Sequence, residues 1–225
     1  MKINYYLIHC IEHKERIKHI QENILSRLGE PIEIFKGIYT KHIDLNNQVE
    51  YINRFDEKLH IDDGFRFYLS GQLGCYFSHF RIIEKIMDEC KNIKMGSPND
   101  YSVIFEDDAL FDTGIHDKIN KIIFDLDVIA NYDFDIIFLG NLTNNHGTRI
   151  INNIYFMDPS ANCWGTHAIL LNNKNIEKIY SALCNIKCEI DRHYAESIKN
   201  GKLKGLFIYP CICLQDQKLH SNIIE

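Results

Sequence analysis

The stretch Tyr101-Ser102-Val103-Ile104-Phe105-Glu106-Asp107-Asp108-Ala109 limits what this chain can fold into more than any other. Val103 to Phe105 is apolar and partly β-branched, the pattern of a buried strand. Three carboxylates follow without a spacer. Adjacent like charges at the end of a core strand repel one another and lose hydration unless a proton or cation intervenes. A divalent metal is the economical remedy, because hard cations such as Mn²⁺ and Mg²⁺ take oxygen ligands and bridge phosphate oxygens. A solvated acidic turn after a strand is the other reading the triplet allows.

The pattern around the triplet is that of an α/β domain. Ile3 to Ile8 reads as a strand, and Ile17, Ile20, Ile24 and Leu28 recur at helical spacing before Gly29 and Pro31. Ile32 to Phe35 reads as a second strand, so the chain opens strand, helix, strand, as nucleotide-binding layers do. From Ile38 to Tyr68 the periodicity fails, which predicts a long surface excursion. Ser70, read as an N-cap, leads into a helix whose expected buried stripe is Leu73, Phe77, Phe80, Ile83, Met87 and Cys90. Gly71 and Gly74 let the backbone there approach a neighbour closely.

Beyond the triplet, a helix from about Asp117 to Ala130 is expected to bury Ile119, Ile122, Leu126 and Ile129. Strands are expected at Phe134 to Leu139, Ile154 to Met157, Gly165 to Leu171 and Leu206 to Tyr209. Two further helices carry Ile176, Ile179, Tyr180 and Leu183, then Ile190, Tyr194 and Ile198. The polar ending, from about Gln215, reads as mobile.

Bulk properties narrow the function classes. With 225 residues, 45% of them hydrophobic, the chain suits one substantial domain with a real core. A formal charge of −6 argues against nucleic acid or anionic membrane as a broad electrostatic partner. No apolar run reaches the roughly 20 residues of a membrane span, so any membrane contact is expected to be peripheral and the location cytosolic. The eight cysteines are scattered and lack zinc-finger spacing, which favours buried reduced thiols.

Several blocks then converge. Gly71-Gln72-Leu73-Gly74-Cys75-Tyr76-Phe77-Ser78-His79 resembles the G-E-x-G-C-x-x-S-H block of family-25 glycosyltransferases, the lipooligosaccharide and collagen galactosyltransferases. Val103 to Ala109 is similar to that family's apolar strand followed by E-D-D. Gly165-Thr166-His167-Ala168 resembles its G-T-x-A block, Ile190-Asp191-Arg192 a later apolar-Asp element, and Tyr209-Pro210 with Gln215 and Ser221 its C-terminal block. Order and spacing agree across nearly the whole chain. Three positions depart: Gln72 stands for the usual Glu, Ile8-His9-Cys10 for I-N-L, and Ile169 for an aromatic.

The resemblance implies a GT-A-like, Rossmann-type fold: a mixed, mostly parallel sheet with helices on both faces. It implies a nucleoside-diphosphate sugar donor, most simply a UDP-hexose, and Mn²⁺ or Mg²⁺ on the acidic motif. Asp108 with Glu106 would then hold the metal, and His220 would complete its shell unless it belongs to a solvated tail. Arg16, Ser78, His79 and Asp107 would serve the donor side, with Gly165 and Thr166 as the floor under the sugar. Arg16 as an exposed helix charge, and His79 as a hydrogen-bonded structural residue, are the plainer alternatives. Trp164 is placed either on the acceptor ring or in the core. Asp191 is the candidate general base of an inverting transfer, with Glu189 in reserve. An ordinary N-terminal helix carboxylate is the other role for Asp191. A glycan, a lipid-linked sugar or a protein hydroxyl fits as acceptor, and the oligomeric state is open. A metal-dependent phosphoryl transferase or hydrolase is a rival enzyme class, and a catalytically silent sugar-nucleotide or glycan-binding module the rival outside catalysis.

Overall fold

The computed structural model describes residues 1–62, 64–92, 100–142, 146–157 and 165–219. Strand β1 (Ile3–His9) enters the core at once, with Leu7 fully buried. The chain then stays helical from Lys14 to Leu28 but changes pitch along the way. A 3-10 turn Lys14–Arg16 is followed by α1 (Ile17–His19), a π segment Ile20–Leu25 and α2 (Ser26–Leu28). Strand β2 (Glu33–Lys36) returns parallel to β1.

The excursion expected over 38–68 holds more structure than its sequence suggests. It contains α3 (Gln48–Phe55) and a short β3 (His60–Ile61). Helix α3 buries Ile52 and stacks Phe55 on Phe77 with ring centroids 3.8 Å apart. Its inner face also carries Gln48, whose amide bridges Phe67 N and O, and that polar position broke the apparent periodicity.

Next come α4 (Ser70–Asn92), β4 (Tyr101–Glu106), β5 (Ala109–Leu110) and α5 (Ile115–Phe124). A π segment, Asp125–Ala130, extends α5. Its wider turn carries Ile129 off the buried stripe and leaves it 57% exposed, contrary to the helical spacing, whereas Ile119, Ile122 and Leu126 are buried. Strands β6 (Ile136–Phe138), β7 (His146–Ile151), β8 (Ile154–Met157) and β9 (Ala168–Asn172) follow. The chain continues through α6 (Ile176–Leu183), β10 (Asn185–Ile186), α7 (Ile190–Lys199), β11 (Gly205–Ile208) and β12 (Leu214–Gln215).

Eight strands form one sheet in the order β2-β1-β4-β9-β6-β11-β8-β7. Relative to β1, strands β9 and β8 run in reverse and the other five run with it, which is the mixed sheet expected. Alternation along each strand sorts the core into two layers. Tyr6, Ile104, Phe138 and Ile169 face α3, α4, α6 and α7. Tyr5, Val103, Phe105 and Leu170 face the first helical stretch and α5. Among the described residues no helix is long and apolar enough to cross a membrane.

The reversed β9 has a specific effect. Because it is antiparallel to β4, its beginning lies beside the end of β4: Phe105 pairs with Ala168, and Glu106 N donates to His167 O at 3.0 Å. Gly165 and Thr166 are thereby delivered to the carboxylate triplet from more than fifty residues away in sequence.

Helix α4 is held against the segment after β2 by direct backbone approach. A Cβ on Gly74 would sit 2.5 Å from Ile38 O and 2.6 Å from Thr40 Oγ1. Ser78 completes the brace, accepting from Ile38 N at 2.8 Å and donating to Gly74 O at 2.7 Å. Gly74→Ala is therefore expected to cost about 1–3 kcal/mol, the range for overpacking a tight contact, read as a lower urea midpoint. A Gly74→Ala protein as stable as the parent would refute this account of the brace.

Candidate active site

One cavity gathers half of the twelve site residues singled out in the sequence. It opens where β1, β2 and β4 end and is walled by the 38–41 segment and the first turns of α4. Arg16, Ser78, His79, Glu106, Asp107 and Asp108 all line it. The carboxyl ends of parallel strands are where open α/β sheets bind ligands, because backbone and loops there leave a crevice.

The three carboxylates meet three different environments. Asp107 is buried and doubly paired: Arg16 Nη1 binds its Oδ1, and His9 Nδ1 lies 2.8 Å from its Oδ2. Arg16 is thus a buried cation rather than an exposed helix charge. Its Nη1 is also 3.5 Å from Asp108 Oδ2. His9, which replaces the resembled family's Asn, here serves as a partner for Asp107.

Glu106, the last residue of β4, takes all its hydrogen bonds on one oxygen. His79 Nε2 lies 2.9 Å from Oε1, Thr166 Oγ1 donates to it at 2.6 Å, and the Cys75 thiol lies 3.9 Å away. Burial alone would raise the Glu106 pKa, but the hydrogen bond and charge of His79, helped by Thr166, outweigh it and hold the group at about 2. Ser78, by contrast, is spent on the Gly74 brace described above.

Asp108 is the least compensated of the three. Its Oδ2 accepts from Gln215 Nε2 at 3.0 Å, while its Oδ1 is buried with no hydrogen-bond partner. Burial first, then the charge of Glu106, pushes its pKa up to about 7. An orphaned carboxylate oxygen in a crowd of negative charge fits a hard divalent cation. Asp108 Oδ1 and the second oxygen of Glu106 are the atoms that could hold one.

The chain around residue 215 is tied to this site. Strand β12 pairs with β5, Asp216 N donates to Asp108 O at 2.8 Å, and His19 Nδ1 lies 3.3 Å from Asp216 Oδ2. Sequence reasoning did not assign Gln215 a site role, although it lay in a resembled block. His220 and Trp164, proposed for the metal shell and the acceptor, lie outside the described residues.

Asp191 in the first turn of α7 and Glu189 just before it do not line this cavity but reach residues next to it. Asp191 Oδ2 accepts from Gly165 N at 3.2 Å, next in sequence to the Thr166 that binds Glu106. Gly165 has φ +97°, a conformation that favours glycine and turns its N–H toward Asp191. Burial raises the Asp191 pKa above the usual carboxylate value, opposed by the N–H groups of Arg192 and Gly165. Glu189 Oε1 accepts from Gln72 Nε2 at 3.3 Å, and its Oε2 is buried without a hydrogen bond.

Gln72 has two tasks. Its Oε1 accepts from Leu69 N at 3.3 Å, capping α4 from within its first turn. Ser70 therefore lies inside the helix, contrary to its reading as the N-cap. Only an amide can cap with its oxygen and donate to Glu189 with its nitrogen; a glutamate at 72 would set two carboxylates face to face.

Two substitutions in the triplet should move stability in opposite directions. Asp107→Asn takes from the buried Arg16 its closest counter-ion, leaving it Asp108 Oδ2 at 3.5 Å, and is expected to cost about 1.5–3 kcal/mol. Asp108→Asn removes a poorly compensated charge. In the parent, folded Asp108 keeps its proton up to about pH 7, whereas the unfolded chain loses it near pH 4. The stability carried by that proton is full below about pH 4 and is lost as pH rises through about 7. Without added metal, Asp108→Asn should therefore be the more stable protein at pH 8, by on the order of a few kcal/mol, with no gain at pH 3.5. Urea unfolding across that pH range checks both signs. Gln72→Glu is expected to lose about 1–2 kcal/mol at neutral pH, read as a lower urea midpoint.

No curated protein matches the chain. Among solved structures it is similar to the apo-form glycosyltransferase GlyE of Streptococcus pneumoniae TIGR4, with TM-score 0.42 and 11% identity, covering 91% of this chain and 45% of that one. It is also similar to apo mouse xyloside xylosyltransferase 1, with TM-score 0.36 and 12% identity, covering 91% and 71%. The chain thus spans less than half the length of the pneumococcal protein. The family model described as glycosyltransferase family 25 (LPS biosynthesis protein) matches residues 2–194, a span that includes every described site residue except Gln215. On that match, the chain belongs to glycosyltransferase family 25.

Proposed function

We propose that this chain is a metal-dependent, inverting hexosyltransferase that moves galactose or glucose from a UDP-sugar to an acceptor hydroxyl. The observation that supports this reading best is the buried, unpartnered Oδ1 of Asp108 at the carboxyl ends of parallel strands. Asp108 and Glu106 would hold Mn²⁺ or Mg²⁺, which when bound supplies Lewis-acid stabilisation of the leaving diphosphate. His220 is retained as a C-terminal candidate for the same shell.

The chain's own residues divide the remaining work. Arg16 places a fixed positive charge in the cavity wall and is itself fixed by Asp107. His79 and Thr166 orient Glu106 by binding one of its oxygens, which leaves the other for the cation. Ser78 and Gly74 keep the 38–41 wall against α4, so that a nucleotide meets a preformed face. Gly165 and Thr166 form the floor under the donor sugar. Asp191 accepts the proton of the acceptor hydroxyl; its raised pKa makes it a stronger base than an ordinary aspartate. Glu189, steadied by Gln72, is the reserve base. The acceptor is a glycan, a lipid-linked sugar or a protein hydroxyl.

The test is a screen of UDP- and GDP-sugars with Mn²⁺ or Mg²⁺, reading donor consumption and transfer to labelled acceptors. A UDP-hexose consumed only with metal is the expected result, with an α-linked donor giving a β-linked product. Asp108→Asn should lower turnover at least about 100-fold while unfolding stays cooperative. Full metal-dependent turnover in Asp108→Asn would refute the metal assignment. Asp191→Asn should lower kcat with little change in donor KM; intact turnover with weaker acceptor binding would move the base to Glu189. Donor binding without turnover under every condition would make the chain a silent binding module.

A further inference from the structure

Behind Asp108 lies a second set of donor atoms of a different chemical kind. Cys75 and His79 are four residues apart on α4 and so share one helix face. Both point at Glu106 Oε1, the thiol at 3.9 Å and the imidazole Nε2 at 2.9 Å. One ligand atom from each of the three residues falls within 4.8 Å of the others.

We propose that Cys75, His79 and Glu106 form a site for one thiophilic divalent cation of the Zn²⁺ class, which takes Oε1 of Glu106 and shares that residue with the hard cation of Asp108 on its other oxygen. The spacing is close to what such an ion needs. Zinc bonds of about 2.3 Å to sulfur and about 2.0 Å to nitrogen or oxygen put tetrahedral ligand atoms about 3.3–3.6 Å apart. The nitrogen–oxygen and sulfur–oxygen separations of 2.9 and 3.9 Å bracket that range and the sulfur lies within 4.8 Å of the nitrogen, so closure needs shifts of up to about 1 Å.

Charge and donor type agree with the geometry. A thiolate, a carboxylate and a neutral imidazole balance a dication, and the sulfur–nitrogen pair selects Zn²⁺ or Co²⁺ over Mn²⁺ and Mg²⁺. Binding releases the thiol proton to solvent, and the imidazole proton leaves Nε2 for Nδ1. All three side chains line the cavity, so the fourth coordination position faces it. Three protein ligands with an open position is the arrangement in which zinc can take a ligand from solution. Thr166, donating to Glu106 Oε1, orients the carboxylate from outside.

Co²⁺ is the probe, because a cobalt–thiolate bond gives a near-ultraviolet charge-transfer band that an all-oxygen site cannot. Chelator-stripped protein titrated with Co²⁺ should develop that band at one equivalent, and Zn²⁺ but not Mn²⁺ should abolish it. The band should persist in Asp108→Asn and disappear in Cys75→Ser and His79→Gln, each checked for native far-ultraviolet circular dichroism. No band in the parent protein would overturn the proposal. So would a band that survives Cys75→Ser, which would assign it to another thiol, or one lost in Asp108→Asn, which would merge the two sites. Mn²⁺-dependent sugar transfer is measured separately, so failure here leaves the transferase reading standing, and failure there leaves this one.

Discussion

Everything near the cavity answers to one electrostatic problem: three consecutive carboxylates at the end of a buried strand. Removing a charge from water without a partner costs several kcal/mol, so the chain must supply partners or surrender ionisation. Asp107 receives Arg16 and His9, and Glu106 receives His79 and Thr166. Asp108 receives one amide from Gln215 and keeps a buried oxygen with none. The compensation is therefore graded, from a closed ion pair to an open acceptor. A fully paired triplet would be a structural knot; the unfinished third member is what leaves room for a ligand.

The partners come from five separate parts of the chain: the end of β1, the first helical stretch, the first half of α4, the turn before β9 and the strand β12. Each arrives by a packing rule rather than by sequence proximity. Reversal of β9 brings Gly165 and Thr166 to the end of β4, since only an antiparallel neighbour begins where β4 stops. Pairing of β12 with β5 brings Gln215. The absence of a side chain at Gly74 lets α4 lie against the 38–41 segment. Stability and site geometry are thus coupled, because the contacts that close the domain also aim the carboxylates.

Much of this was legible in the residues. The strand before the triplet, the long helix starting near Ser70 and the strand expected over Gly165 to Leu171, which forms as Ala168–Asn172, all carry a clear pattern, and the acidic run announces itself. The misreadings share a cause. Helix α3 hid because Gln48, a polar residue, occupies its buried face. Ile129 was misplaced because a π turn shifts the helical register without any mark in the pattern. Ser70 looked like a cap because its chemistry is right, yet Gln72 does the capping.

The sequence alone determined the α/β class and most of its strands and helices, because alternation and local motif order are properties of neighbouring positions. Family membership followed from the same order of blocks. Only the tertiary structure decided how those residues divide their roles. Arg16, His9 and Asp107 are three separate signals in sequence and one buried ion pair in space. Gln72 and Glu189 are 117 positions apart and within hydrogen-bond reach. Partner choice among charged groups depends on distance and desolvation, and both are set by the packing of elements remote in the chain.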